Sequence, residues 1–107
     1  MLDRRVLAVI LLAAGLAGCS EQGSSLSPEA ERGRQVYLAQ CSACHATDPG
    51  RDGPVGPAVR GASRELLEAR LVRGTYPSGY TPKRPSVVMQ PMPHLAGSLD
   101  DLAAYLR

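Results

Sequence analysis

Five consecutive residues, Cys41-Ser42-Ala43-Cys44-His45, carry most of the chemistry in this sequence. Their spacing is C-x-x-C-H, the pattern that attaches a c-type haem. Two thiols three positions apart can add across the two vinyl groups on one porphyrin edge, and the adjacent imidazole then lies under the iron as its proximal ligand. Three other readings compete for the same residues. A thioredoxin-like redox pair needs a βαβ setting, and the flanking sequence shows no such alternation. A zinc site would draw on Cys41, Cys44, His45 and His94, but a His directly after the second Cys suits a closed tetrahedron poorly, and no second cysteine pair follows. A Cys41–Cys44 disulfide stays open for an exported chain.

The elements that must position this motif can be read on either side of it. Ser27 is a candidate N-cap, Pro28 fits the first helical position, and Glu29 and Glu31 suit the positive end of the helix dipole, so a helix leads into Cys41. Gly33 inside that helix costs about 1 kcal/mol relative to Ala, so a packing reason for it is expected. At the C-terminus Leu99, Leu102, Tyr105 and Leu106 recur at helical spacing, with Asp100 and Asp101 early and Arg107 last. Between the two lie a Gly/Pro loop from Gly53 to Gly61 and a middle helix. Ser63 caps that helix, Leu66, Leu67, Leu71 and Val72 line one side, Glu65 and Glu68 precede Arg70 and Arg73, and Gly74 stops it. A Pro-rich stretch from Thr75 to Pro85 then leads to Met89 and Met92.

Composition bounds the rest. The chain has 107 residues, 44% of them apolar, with four Tyr and neither Trp nor Phe, so aromatic rings add little to a core. A chain of this size and composition usually needs a disulfide, a metal or a cofactor to hold it. Residues 1–18 read as an export leader, with Arg4 and Arg5 ahead of an apolar run from Val6 to Leu12. Leu16-Ala17-Gly18-Cys19 resembles the bacterial lipobox, in which the Cys is lipidated and becomes the new N-terminus. Residues 19–27 are then the lipidated Cys19 and a polar, Gly/Ser-rich tether of roughly 15 Å root-mean-square span. Ser20 after the Cys, where Asp is absent, favours the outer membrane. Cleavage leaves 89 residues with 10 basic and 9 acidic side chains. This near-neutral balance, with the 11 Arg and single Lys scattered among acids, disfavours nucleic-acid binding.

From Pro28 to Arg107 the chain resembles a class I cytochrome c: the C-x-x-C-H motif, the Gly33, Tyr37 and Cys41 spacing ahead of it, and the Leu102 and Tyr105 pair near the end. The resemblance implies an all-α fold of three to four short helices and loops wrapped around one covalent haem c. It also implies that Gly33 lets the C-terminal helix approach closely, and that the carbonyl of Pro57, twelve residues after His45, accepts a hydrogen bond from the His ring. Pro54 competes for that role. A distal Met should complete the iron. Met92-Pro93 has the family's commonest local pattern but lies 13 residues before Tyr105, whereas Met89 lies at 16, nearer the family's usual spacing, and is preferred. His94 is a third, weaker candidate.

His/Met ligation is the electron-transfer pairing, since the thioether raises the potential and fills the site against O₂. The expected function is thus a membrane-anchored electron carrier on the periplasmic side of the envelope, not an enzyme. Its partners would be redox proteins such as a quinol-oxidising complex and a terminal oxidase or reductase. A haem protein with an open iron, or a haem-free lipoprotein with a disulfide or metal, are the rival readings. Lys83 and Arg84 either meet haem propionates, mark a docking surface, or are solvated cations.

Overall fold

The computed structural model describes residues 25–107. The leader, Cys19 and most of the tether lie outside that range. Helix α1 runs Pro28–Gln40 and starts as the sequence implies. The Ser27 hydroxyl accepts the Ala30 amide at 3.1 Å, and the Ser27 carbonyl accepts that of Glu31 at 2.9 Å. Ala30, Gly33 and Tyr37 form its buried stripe. One further turn, α2 (Ser42–His45), carries the end of the cysteine motif. It is tied back to α1 by the Ser42 hydroxyl, which donates to the Leu38 carbonyl at 2.7 Å.

Residues 46–62 form an irregular loop, after which Ser63 caps α3 (Arg64–Glu68) by accepting the Leu66 amide at 3.1 Å. The middle helix was expected to continue regularly to Gly74. Instead it widens into a π-helical turn over Ala69–Arg73, closed by Gly74 in the left-handed conformation at φ 67°. The i→i+5 spacing of this turn brings Arg73 to Glu68. Glu68 pairs with Arg64 at 2.7 Å and Arg73 at 3.0 Å, while Arg70 lies over the Tyr76 ring. A strap without regular structure spans residues 75–92. A 3-10 turn at Pro93–Ser98 then feeds α4 (Leu99–Leu106). The described residues contain no strand, so the fold is all-α, as expected, with short helices and loops around an open centre.

Helices α1 and α4 cross at Gly33. A Cβ there would overlap the Asp101 backbone carbonyl and come within 3.0 Å of the Leu102 amide nitrogen, so hydrogen is the only side chain that fits. This contact offsets the helix-propensity cost of the glycine. One turn along, the Tyr37 and Tyr105 rings meet at 5.6 Å between centroids, tilted by 54°. Leu71, Leu95, Leu99, Leu102 and Leu106 complete the buried cluster around Tyr37. Arg32 grips the Asp101 carboxylate with two 3.0 Å bonds, and Arg64 reaches Asp100 at 2.8 Å, so α4 is also stapled at its surface. Such exposed pairs add little compared with the apolar crossing. No described helix is long and apolar enough to cross a membrane.

Gly33→Ala is expected to lower the thermal midpoint of the holoprotein. Forcing the helices apart costs about 1–3 kcal/mol, and a domain of this size loses roughly 4–8 °C per kcal/mol. A midpoint that stays level, or rises with the gain in helix propensity, would show that the crossing is not held this close.

Candidate functional site

The Tyr37 hydroxyl is the first link from the core to the motif. It donates to the Ala46 carbonyl at 2.7 Å, and the His45 carbonyl lies 3.3 Å away. Burial pushes its ionisation up to about 12, so it remains a donor at neutral pH. The bond holds Ala46 at φ 71° and ψ 158°, a region that residues with a Cβ avoid at a cost of about 1–3 kcal/mol. The chain thereby turns sharply straight after His45, and the Gly/Pro loop folds back beneath it. The Cys44 carbonyl accepts the amides of Val55 at 3.2 Å and Gly56 at 2.8 Å, and Gly53 donates to the Gly56 carbonyl at 2.8 Å.

That loop forms a slot for the imidazole. A Cβ on Gly56 would stand 2.5 to 2.9 Å from three atoms of the His45 ring, so the ring lies against bare backbone. Its Nδ1 is 2.7 Å from the Pro57 carbonyl oxygen. A carbonyl can only accept, so Nδ1 carries the proton and the Nε2 lone pair remains for a metal. Of the two prolines weighed from sequence, Pro57 is the one that meets the ring.

Beside the imidazole lies a cavity of about 630 Å³, within the size range of enclosed cofactor sites. Cys41, Cys44, His45, Pro57, Met89 and Met92 all line it. Its other walls are largely apolar, with Val59, Leu66, Leu67 and Leu102 among them. Burial, with a smaller contribution from Cys44, pushes the Cys41 thiol up to about 11. A thiol–disulfide catalyst draws on the opposite shift, and the described residues hold no strand to supply the βαβ setting such a pair needs. The zinc reading fails on geometry. His94 is exposed, with Nε2 3.4 Å from the Gln40 side-chain oxygen, and no three His, Cys, Asp or Glu side chains among the described residues converge on a metal position. An apolar chamber with two thiols, one tautomer-fixed imidazole and two thioethers on its walls fits a haem.

The strap closes the chamber. Met89 and Met92 are both half-buried and pack against the leucine cluster. The Met92 amide donates to the Leu71 carbonyl at 2.7 Å, so the end of the strap is pinned to the π turn. Lys83 and Arg84 have partners that their sequence did not reveal. Lys83 donates to the Ala58 carbonyl at 2.7 Å, and Arg84 donates to that of Val55 at 3.2 Å while pairing with Asp52 at 3.5 Å. Together they fasten the Pro-rich strap across the chamber onto the loop that holds His45. Sequence reasoning also missed Arg70, whose guanidinium sits 4.4 Å from the centre of the Tyr76 ring. The sequence shows it only as one of the bases that follow Glu65 and Glu68 in the middle helix, and no local signal distinguishes it.

Comparison with known proteins agrees with this geometry. Residues 30–107 match the sequence profile of the family described as Cytochrome c. The chain is also 31% identical over 83 residues to a cytochrome c-553-like protein of Synechocystis sp., covering 78% of this chain and 71% of that one. The chain therefore belongs to the class I cytochrome c family, whose members hold haem c covalently and carry electrons on its iron.

Proposed function

We propose that this chain is a lipid-anchored electron carrier on the periplasmic side of the cell envelope, with haem c attached through Cys41 and Cys44 and ligated by His45 and Met89. The observation that carries the reading is the 2.7 Å contact between His45 Nδ1 and the Pro57 carbonyl, made at the wall of an apolar chamber that also presents both thiols. The bound haem supplies a one-electron couple. The protein's own part is to set that couple and keep water from it. The bond to Pro57 orients the ring and makes Nε2 a stronger donor. The thioether, being soft, favours the reduced iron, and the leucine walls favour the state of lower charge. With His45 and Met89 both serving as ligands, the iron would have no position left for a substrate, in keeping with a carrier in place of an enzyme.

Partners are redox proteins, such as a quinol-oxidising complex on the donor side and a terminal oxidase or reductase on the acceptor side. Encounters of this kind are small and short-lived. The charge balance near neutrality gives only modest long-range steering. Anchoring rests on the lipobox-like Leu16 to Cys19 and the tether that follows, and Ser20 favours the outer membrane. Three acyl chains would hold the protein there stably, since one alone gives only reversible attachment.

Two experiments test this reading. Met89→Ala should abolish the Met-ligated low-spin spectrum of the oxidised protein, while Met92→Ala should retain it with weaker packing around the haem. The reverse pattern would transfer the ligand to Met92, which lines the same chamber. Cys19→Ser should move the mature protein from the membrane to the soluble periplasmic fraction. Unchanged membrane association would remove the lipid anchor from the account.

A further inference from the structure

The strap leaves the middle helix at Gly74 and returns to it at Met92, and beyond the ties at Lys83 and Arg84 it is held by little up to Met92. Val87 and Val88 are exposed, by 87% and 65%, and the Val88 amide is satisfied locally by the Ser86 hydroxyl at 3.2 Å. A second cavity of about 210 Å³ is bordered by Arg70, Gly74, Tyr76, Ser86, Val87 and Met89 to Pro91, so it leaves a gap beside this part of the strap. Among the described residues, one hydrogen bond links positions 85–90 to the rest of the fold. It runs from Arg70 Nη2 to the Met89 carbonyl at 3.3 Å.

Arg70 is well placed to control this segment. Its Nη1 donates to the Gly74 carbonyl at 3.1 Å, so one guanidinium spans the start of the strap and the Met89 backbone. The same plane sits over Tyr76, which in turn stacks on Tyr80 at 5.4 Å and 9°. The π turn, with its i→i+5 spacing, sets Arg73 rather than Arg70 against Glu68, and Arg70, two residues from Glu68, lies off that face and is left to the strap. An Arg can make both bonds while lying flat on a ring. A Lys, as a compact point charge on a flexible stem, has no rigid fork to span the two carbonyls and no plane to lay on the ring.

We propose that Arg70 is a positioning residue for the distal ligand: stacked on Tyr76 and bridging the carbonyls of Gly74 and Met89, it holds the strap so that the Met89 thioether stays at the chamber. The role rests on Met89 being the ligand. It predicts that loosening Arg70 makes the thioether easier to displace without removing it from the site.

The test is imidazole binding to the oxidised holoprotein, followed by loss of the Met-ligated spectrum, with thermal unfolding measured in parallel. Arg70→Lys should retain Met ligation in the absence of imidazole but raise the apparent imidazole affinity by about tenfold, the factor that one hydrogen bond to a charged group is worth. Tyr76→Leu, at a partly exposed position, should shift it the same way by a smaller factor, and it serves as the second variant if Arg70→Lys matures poorly. Arg73→Lys, whose side chain pairs only with the surface carboxylate Glu68 in the described bonds, should leave the affinity at the wild-type value. Wild-type imidazole affinity in Arg70→Lys and Tyr76→Leu would overturn the proposal, as would a lowered thermal midpoint with no change in affinity. Met89→Ala in the same assay separates the two claims. If it binds imidazole with no Met to displace, the ligand assignment stands and the Arg70 variants judge the latch; if it behaves as wild type, the assignment itself falls.

Discussion

An imidazole held against bare backbone is the interaction on which the rest of this structure depends. His45 has room to lie flat only because position 56 lacks a Cβ, and it has one orientation only because the Pro57 carbonyl accepts a hydrogen bond from its Nδ1–H. Each requirement sets another. The loop from Gly53 to Pro57 must pass directly under α2, which the doubly accepting Cys44 carbonyl arranges. The chain must turn at once after His45, which puts Ala46 at a strained φ that the Tyr37 hydroxyl holds. Tyr37 is itself fixed by the crossing of α1 and α4. A contact at Gly33 is thus transmitted, through one buried hydroxyl, to the orientation of the ring at the chamber wall.

Energetically, the protein has put its scarce apolar mass in two places. Six buried side chains, five of them leucines, make a small core where α1, α4 and the π turn meet. The remaining apolar groups line a chamber instead of filling it, leaving a centre that a chain of this length cannot supply from Phe or Trp. A large planar apolar cofactor bound there offsets that deficit, in the way small domains commonly recruit a metal or disulfide. The strap over the chamber is held by cations donating to backbone carbonyls: Lys83 and Arg84 at one edge, Arg70 at the other. Bonds of this kind tolerate the irregular backbone of a Pro-rich segment, which has few amides to form a helix or sheet of its own.

Much of this was legible in the residues, and the reasons differ by element. Helix starts at Ser27 and Ser63 and the stop at Gly74 are local chemistry, and each cap forms as its residue type implies. The crossing at Gly33 could be anticipated because a glycine inside a helix needs a reason to be there. The π turn could not, since apolar spacing from Leu66 to Val72 suits a regular helix equally well, and the extra residue is set by where the strap returns. Strain at Ala46 is similarly invisible, because a long-range bond from Tyr37 selects it. Met89 and Met92 both reach the chamber for the same reason that the sequence could not rank them on local grounds: an irregular strap has no period to assign a face. For Lys83 and Arg84 the residues leave propionate pairing, docking and solvation open, and for Arg70 they show only its place after Glu65 and Glu68; all three donate to carbonyls, which composition never displays.

Covalent attachment of one haem at Cys41 and Cys44 underlies all of this chemistry. It is measured most directly by the intact mass of the protein matured with c-type haem attachment machinery, read together with the reduced pyridine haemochrome spectrum. The expected result is a polypeptide heavier by one haem and the spectrum of a haem carrying two thioether bonds. An unmodified mass, with both thiols free or joined as a disulfide, would contradict it.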